Sequence, residues 1–235
     1  MRPVLLIAGN FAREQRWPLF FLLLWVLGWA LFGLLDPERG PEDALMIFRQ
    51  LAVYSVTFGV FFGSSAVQAD QRSRRVLAVL SKGISRAQYI LGLLTGMGLV
   101  LGVFCLCMGF TATWLLGRFG FNIGSLWFGM LALWTACLLT ASLTLALSTF
   151  LPPLFAAIAT GTLAGIPALL AFRGDTVSKF VIPVYGLVEP LIAASFTATW
   201  HFRPLLVLVG WIETVLFWMI ASWIFSRRDL AVAAE

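Results

Sequence analysis

Few residues of this chain have the types and spacing that catalysis requires. His201 is the only histidine, and a serine hydrolase would need it within reach of an activated serine. The adjacent pair Ser64 and Ser65 lies on the opposite side of the membrane in the topology predicted below. A phosphate-binding loop ending in Gly-Lys-Ser/Thr is missing, and so is a cluster of metal-binding residues. We therefore expect neither an enzyme nor a cofactor bound by this chain.

The three cysteines fit packing better than chemistry. Cys105, Cys107 and Cys137 all fall in apolar stretches with no histidine nearby. This pattern matches neither a disulfide framework nor a zinc site, so we interpret the thiols as small apolar side chains.

Glu213 is the clearest candidate for a functional residue in an apolar stretch. It lies nine residues after Pro204, so it would be about 13 Å into a helix that rises about 1.5 Å per residue. A carboxylate at that depth is costly, and it is expected to be protonated or paired and to face the bundle interior or a wet cavity. Two interpretations stay open: an interhelical hydrogen bond, or a role in translocation or gating.

The composition indicates a membrane protein made of helices. Sixty per cent of the residues are hydrophobic and 11% are charged, so no water-exposed surface large enough for a soluble domain can be built. Apolar runs of about 20 residues predict an all-α polytopic protein with a single transmembrane domain over 1–235. Its six transmembrane helices are predicted at 17–35, 51–69, 89–116, 123–150, 154–172 and 204–225.

A seventh apolar stretch, 180–200, is predicted not to cross. It contains Pro183, Gly186, Glu189 and Pro190, which disfavour a straight span. With six crossings the positive-inside tendency places both termini in the cytoplasm. The cytoplasmic side then holds Arg2, Arg13, Arg16, Arg72, Arg74, Arg75, Lys82, Arg86, Arg227 and Arg228, and the outer side holds the other six basic residues. The net charge of +5 mostly reflects the basic residues that this topology places in the cytoplasm, so we do not interpret it as a sign of nucleic-acid binding.

The sequence before the first span predicts an interfacial helix. One face carries apolar side chains and the opposite face carries arginines, a pattern typical of a helix in the inner membrane surface; the apolar residues are Val4, Ile7, Ala8 and Phe11.

Small residues four apart predict close helix packing. They occur in 92–96, 98–102 and 157–165, and Pro167 is expected to kink or interrupt the fifth span.

The segment 70–89, between the second and third spans, is basic and amphipathic. Apolar residues recur at helical spacing from Val76 to Ile84, which predicts a short helix at the cytoplasmic face. Gly83 is suited to end that helix, and Ser85 with Gln88 forms a capping box that starts the next one. Taken alone, this pattern is equally typical of an interfacial helix that only orients the protein.

Two patches resemble the permease subunits of type-2 ABC transporters, the six-helix exporter permeases that include the NosY group. Val79-Leu-Ser-Lys-Gly-Ile-Ser-Arg86 and Tyr89-Ile-Leu-Gly92 are similar to the family's loop before the third span. The tail Phe225-Ser-Arg-Arg-Asp-Leu230 resembles the Phe-x-x-Arg-Asp-Leu ending of many members. The chain departs from the family at Gly83, where proline is frequent, at Leu93, where lysine is frequent, and at Arg74-Arg75.

The resemblance implies a permease in the inner membrane, most often for export, that works as a homodimer and binds a separate ATP-binding cassette ATPase. ATP and Mg²⁺ would be held by that partner, and 180–200 would be a re-entrant hairpin. The short helix predicted after the second span would be the coupling helix, which docks onto the ATPase. Its apolar contacts would be Val76, Val79, Leu80 and Ile84, and its charged rim or lipid-headgroup contacts would be Arg74, Arg75 and Arg86.

Two other functions fit the same hydropathy. A membrane scaffold or assembly factor would need no nucleotide cycle. An ion- or proton-coupled transporter would use Glu213, but further intramembrane charges and an inverted repeat are not evident in the sequence. The sequence does not specify a substrate.

Overall fold

The computed structural model of the chain describes residues 2–35, 40–72, 83–117, 119–193 and 203–227. These ranges form eight helices without a strand: α1 (Arg2–Glu14), α2 (Arg16–Leu35), α3 (Pro41–Arg72), α4 (Arg86–Gly117), α5 (Ile123–Ser148), α6 (Pro153–Phe172), α7 (Val184–Ile192) and α8 (Pro204–Arg227). The predicted all-α class is confirmed. Five helices, α3 to α6 and α8, are long and apolar enough to cross a membrane, as in a multi-pass membrane protein. The first predicted span corresponds to the 20-residue α2.

α5 is the centre of the bundle and contacts α3, α4, α6, α7 and α8. Its hydroxyl side chains are buried, but they bond to carbonyls of their own helix; Thr140 Oγ1 donates to Ala136 O at 3.1 Å and Thr144 Oγ1 donates to Thr140 O at 2.6 Å. The helix begins at a cap in which Asn122 Oδ1 accepts from the Gly124 amide at 2.9 Å. Because these hydroxyl groups find acceptors within the helix, α5 can be buried on several sides in an apolar bundle.

The backbones of α3 and α5 are in direct contact, and two glycines make this contact possible. A Cβ at Gly59 would lie 2.5 Å from the carbonyl oxygen of Cys137, and one at Gly63 would lie 2.5 Å from that of Ala141. These backbones touch at positions where only glycine fits. Gly59 and Gly63 have the same four-residue spacing as the predicted pairs, but they were not among those predictions.

The predicted small-residue pairs have mixed outcomes. Gly92 and Gly96 lie in close contact with α1, and Gly98 packs against α5, where Trp134 Nε1 donates to its carbonyl at 2.9 Å. The stripe on α6 is different, because a Cβ at Gly161 or Gly165 would meet nothing within 4 Å in the described chain. α6 also continues as a helix through Pro167, so of the two predicted outcomes the interruption does not occur and the kink stays a prediction. Proline is tolerated within membrane helices because neighbouring helices, hydroxyl side chains and local adjustments of the helix provide new partners for the backbone groups that it leaves unpaired.

α1 packs against α4 through the apolar face that the sequence predicts. Ala8 is fully buried, and Ile7 and Phe11 nearly so, whereas Leu5 and Leu6 on the other side are exposed. Ile7 lies over Gly92 of α4 and Phe11 lies over Gly96, so the contact advances one turn along both helices in the same direction. The apolar face of α1 is thus covered by protein. Its position relative to the membrane surface stays a prediction.

α3 begins ten residues before the predicted span at 51–69. Pro41 starts the helix, where its missing amide hydrogen and fixed φ are favourable, and Glu42 and Asp43 in the first turn complement the helix dipole. Leu45 and Phe48 in this extension are buried at helical spacing. Hydropathy placed the start too late because this first stretch combines charged residues with buried apolar ones.

Candidate functional site

The described part of the predicted docking segment is its exit into α4. Gly83 has a φ of 77°, in the left-handed region that glycine favours. The predicted capping box is confirmed, since the Ser85 amide donates to Gln88 Oε1 and the Gln88 amide donates to Ser85 Oγ, both at 3.2 Å. Five of the predicted docking residues lie outside the described residues: Arg74, Arg75, Val76, Val79 and Leu80.

The other two predicted docking residues have contacts within this chain. Ile84 is half-buried and packs against the core. Arg86 Nη1 donates to the carbonyl oxygens of Phe225 and Ser226, both at 2.9 Å, at the end of α8. Part of the Arg86 guanidinium therefore caps a helix of its own chain.

Further contacts join the start of α4 to the end of α8. The rings of Tyr89 and Phe225 are stacked with centroids 5.7 Å apart, and Trp218 Nε1 donates to the Ala87 carbonyl at 3.4 Å. Tyr89 and Phe225 are both almost fully buried. The two patches that carry the family resemblance, about 140 residues apart in sequence, thus meet in space at one end of the bundle. We call this contact the α4–α8 junction; sequence spacing alone gives no signal for it.

α7 lies antiparallel to the first half of α8. Leu187 packs against Gly210, and Glu189 pairs with Arg203 just before α8 begins. A nine-residue helix is about 14 Å long at about 1.5 Å per residue, less than half the thickness of the hydrocarbon core. α7 alone is therefore too short to span the hydrocarbon core. Residues 194–200, the rest of the predicted hairpin, lie outside the described residues.

Glu213 lies beside the turn that leads into α7. The backbone amide of Ile182 is close to its carboxylate, and Oε2 is buried without a hydrogen-bond partner in the described chain. Ile182 has a φ of 52°, a left-handed conformation that a β-branched residue rarely adopts. An interhelical side-chain bond at Oε2, one of the two interpretations of Glu213, is not found among the described residues.

The turn between α6 and α7 is held by polar contacts. Ser178 Oγ and the Val177 amide both donate to the Asp175 carboxylate. These bonds, first that of Ser178, hold the pKa of Asp175 below its ordinary value. Their contribution to the order of this turn is present above the unfolded-state pKa and is lost as the pH falls through the lowered value.

Glu189 joins two cations at the same end of the bundle. Lys179 Nζ lies 2.9 Å from its Oε1 and Arg203 Nη1 lies 2.8 Å from its Oε2. The three residues connect the turn after α6, α7 and the start of α8. From the sequence, Glu189 was predicted only to disfavour a span. The signal that it has a partner is a carboxylate before a proline in an apolar stretch.

Replacing Glu189 with glutamine is expected to loosen α7. Lys179 and Arg203 would lose their common anion. For ion pairs of this exposure the free energy of local unfolding falls by about 1 kcal/mol, which makes hydrogen exchange of α7 about fivefold faster. Hydrogen exchange of residues 184–192 in lipid nanodiscs measures this effect. Glu42→Gln, at an exposed position in the first turn of α3, is the matched control, and equal exchange in both variants would contradict the role of the ion pairs.

Two apolar grooves open on the outside of the bundle. One, of about 340 Å³, lies between α4, α5 and α8 and is lined by Trp134, Trp211 and Trp218 among others. The other, of about 480 Å³, lies between α2, α3 and α4. Apolar walls of this kind suit lipid chains as well as a hydrophobic cargo. The described residues include no group of three or more metal-binding side chains.

No protein-family model, no curated protein and no solved structure matches this chain.

Proposed function

We propose that this chain is the transmembrane permease subunit of an ABC transporter in the inner membrane. It would form the translocation path as a homodimer, export its cargo, and couple to a separate ATP-binding subunit through the helix predicted at 74–84. The proposal rests on the resemblance of 79–92 and 225–230 to type-2 permeases. One observation supports it most: these two patches pack on each other at the α4–α8 junction.

The positions of the helix ends support the six-crossing topology of this proposal. The start of α4 and the end of α8 are in contact, so an even number of crossings separates them. α4, α5, α6 and α8 supply four, and a fifth crossing by 180–200 would place the two ends on opposite sides. In the proposed permease, α7 is then the returning half of a re-entrant element on the outer side.

Both termini would be cytoplasmic in this topology. Arg86 and Arg227 lie at the same end of the bundle, and Lys179 and Arg203 belong to the segments at the other end. The cytoplasmic end carries the larger number of basic residues, following the positive-inside tendency.

The ATPase contact is tested with Leu80→Asp. This substitution places a charge at the centre of the proposed apolar docking face. A buried unpaired charge costs about 2 kcal/mol or more, so the affinity for the ATPase would fall at least about tenfold. The tagged chain is purified from gently solubilised native membranes, and copurifying proteins are identified by mass spectrometry. We expect wild type to retain a protein with a phosphate-binding loop and the variant to lose it while remaining monodisperse.

Ser81→Asp is the matched control, because it adds the same charge to the same segment at a position outside the proposed apolar face. Equal retention of the ATPase by wild type and Leu80→Asp would refute this docking face. Absence of any ATPase with an intact wild-type chain would refute the permease and favour the scaffold.

A further inference from the structure

The first three turns of α4 contact both the first and the last helix of the chain. Arg86 and Tyr89 contact the end of α8, and Gly92 and Gly96 contact α1. The segment 73–82 joins α3, which ends at Arg72, to residues 83–85 and these turns of α4. A displacement of that segment would therefore be passed along the chain to both α3 and α4.

We propose that Arg86 is a positioning residue that makes α8 move with the cytoplasmic segment 73–85. This inference rests on the proposed function, because an ATP-binding partner is what would displace the segment. It assigns Arg86 to the transmission of movement within the permease and leaves docking to the residues before it.

The bonds of Arg86 are suited to transmit force. The last carbonyls of a helix have no partner within that helix, and the negative end of the helix dipole attracts a cation. One guanidinium nitrogen of Arg86 donates to two such carbonyls, those of Phe225 and Ser226. The Tyr89–Phe225 stack lies beside them, so the helix ends are joined by a charged contact and a packed apolar contact.

α8 continues this connection to the other end of the bundle. Its first half packs on α7 through Gly210 and Leu187, and Arg203 before its start pairs with Glu189. A shift of α8 along its axis would therefore change its contacts with α7. The start of α4 and the outer turn around Ile182 are connected through this one helix.

The junction is measured first by hydrogen exchange of wild type and variants in lipid nanodiscs. Arg86→Ala removes the donor, and we expect exchange of residues 222–227 to rise about tenfold, as for a lost charged hydrogen bond. Arg86→Lys keeps the charge without the planar guanidinium and is expected to give an intermediate rise. Arg13→Ala removes an exposed arginine of α1 and is expected to change nothing there.

The transmission of movement from the segment to α8 is measured on the complex with the copurified ATPase. This measurement distinguishes transmission by Arg86 from a purely structural role of the same residue. Trapping with ADP and vanadate is expected to change exchange of residues 184–192 and 204–213 in wild type. In Arg86→Ala we expect this change to be lost while ATP hydrolysis continues.

An unaltered nucleotide-dependent change in Arg86→Ala, with the ATPase bound, would overturn the inference and leave the permease assignment intact. A wild-type chain that retains no ATPase refutes the proposed function, and the inference with it. Unchanged exchange at 222–227 in Arg86→Ala overturns the inference in either case.

Discussion

A leucine at Gly63 is expected to destabilise the folded bundle strongly. Even the first carbon of a side chain there would lie 2.5 Å from the Ala141 carbonyl and 2.8 Å from the Cβ of Thr144, both on the central helix. α3 would have to move away from α5 at a point where the two backbones touch. Overpacking costs about 1–3 kcal/mol and occasionally more, which is a large fraction of the about 5–15 kcal/mol by which a folded protein is stable.

The quantity measured is the monodisperse fraction of the detergent-solubilised protein, which is determined by size-exclusion chromatography of a fluorescent fusion. Gly63→Ala is expected to give an intermediate loss. Gly161→Leu on α6 is the matched control, since a Cβ there meets nothing within 4 Å. If Gly63→Leu gives as much monodisperse protein as Gly161→Leu, the α3–α5 contact is not as close as described.

Methionine in place of Glu213 is expected to stabilise the chain. Oε2 of Glu213 is buried without a hydrogen-bond partner in the described chain, and the only compensation beside the carboxylate that the described residues give is the Ile182 backbone amide. Replacing buried ion pairs with well-packed apolar residues of similar volume is often neutral or stabilising by about 1–4 kcal/mol, and we expect a gain within that range for this partly buried carboxylate. A gain of about 2 kcal/mol would raise the Tm by roughly 4–8 °C for a chain of this size.

Thermal unfolding of Glu213→Met and of the isosteric Glu213→Gln, both in the same detergent, tests this expectation. A Tm several degrees below wild type in both variants would show that the carboxylate holds the bundle together. A stable Glu213→Met that binds the ATPase but no longer moves cargo would assign Glu213 to translocation. The two interpretations of this residue thus predict Tm shifts of opposite sign.

Hydropathy was sufficient to predict most of the helices. Continuous apolar runs predicted α4 and α6 to within three residues at each end, because the membrane sets the length of such helices. The prediction failed where burial inside the protein replaced burial in lipid, as at the start of α3. There Leu45 and Phe48 are buried although charged residues precede them.

Helix contacts could be predicted only in part. The four-residue spacing of glycines occurs in several helices, and the pattern does not tell which of them will meet a partner. Gly59 and Gly63 are covered by α5, whereas Gly161 and Gly165 face open space in the described chain. That difference depends on the order of helices in space, which a local pattern does not contain.

The contacts around the candidate site depend on residues distant in sequence. The capping box at Ser85 and Gln88 was predictable because both partners lie within one turn. The bond from Arg86 to Phe225 and the pairs of Glu189 with Lys179 and Arg203 needed the three-dimensional arrangement. Residue type indicated only that these charges would need partners.

The central position of α5 has a consequence for synthesis of the protein. α3 and α4 precede α5 in the chain, and α6, α7 and α8 follow it. The glycine contacts of α3 with α5 can therefore form in the membrane while the ribosome is still translating the second half. The later helices then join earlier helices that already cover Thr140 and Thr144 of α5, so a defect at Gly59 or Gly63 would arise before synthesis ends.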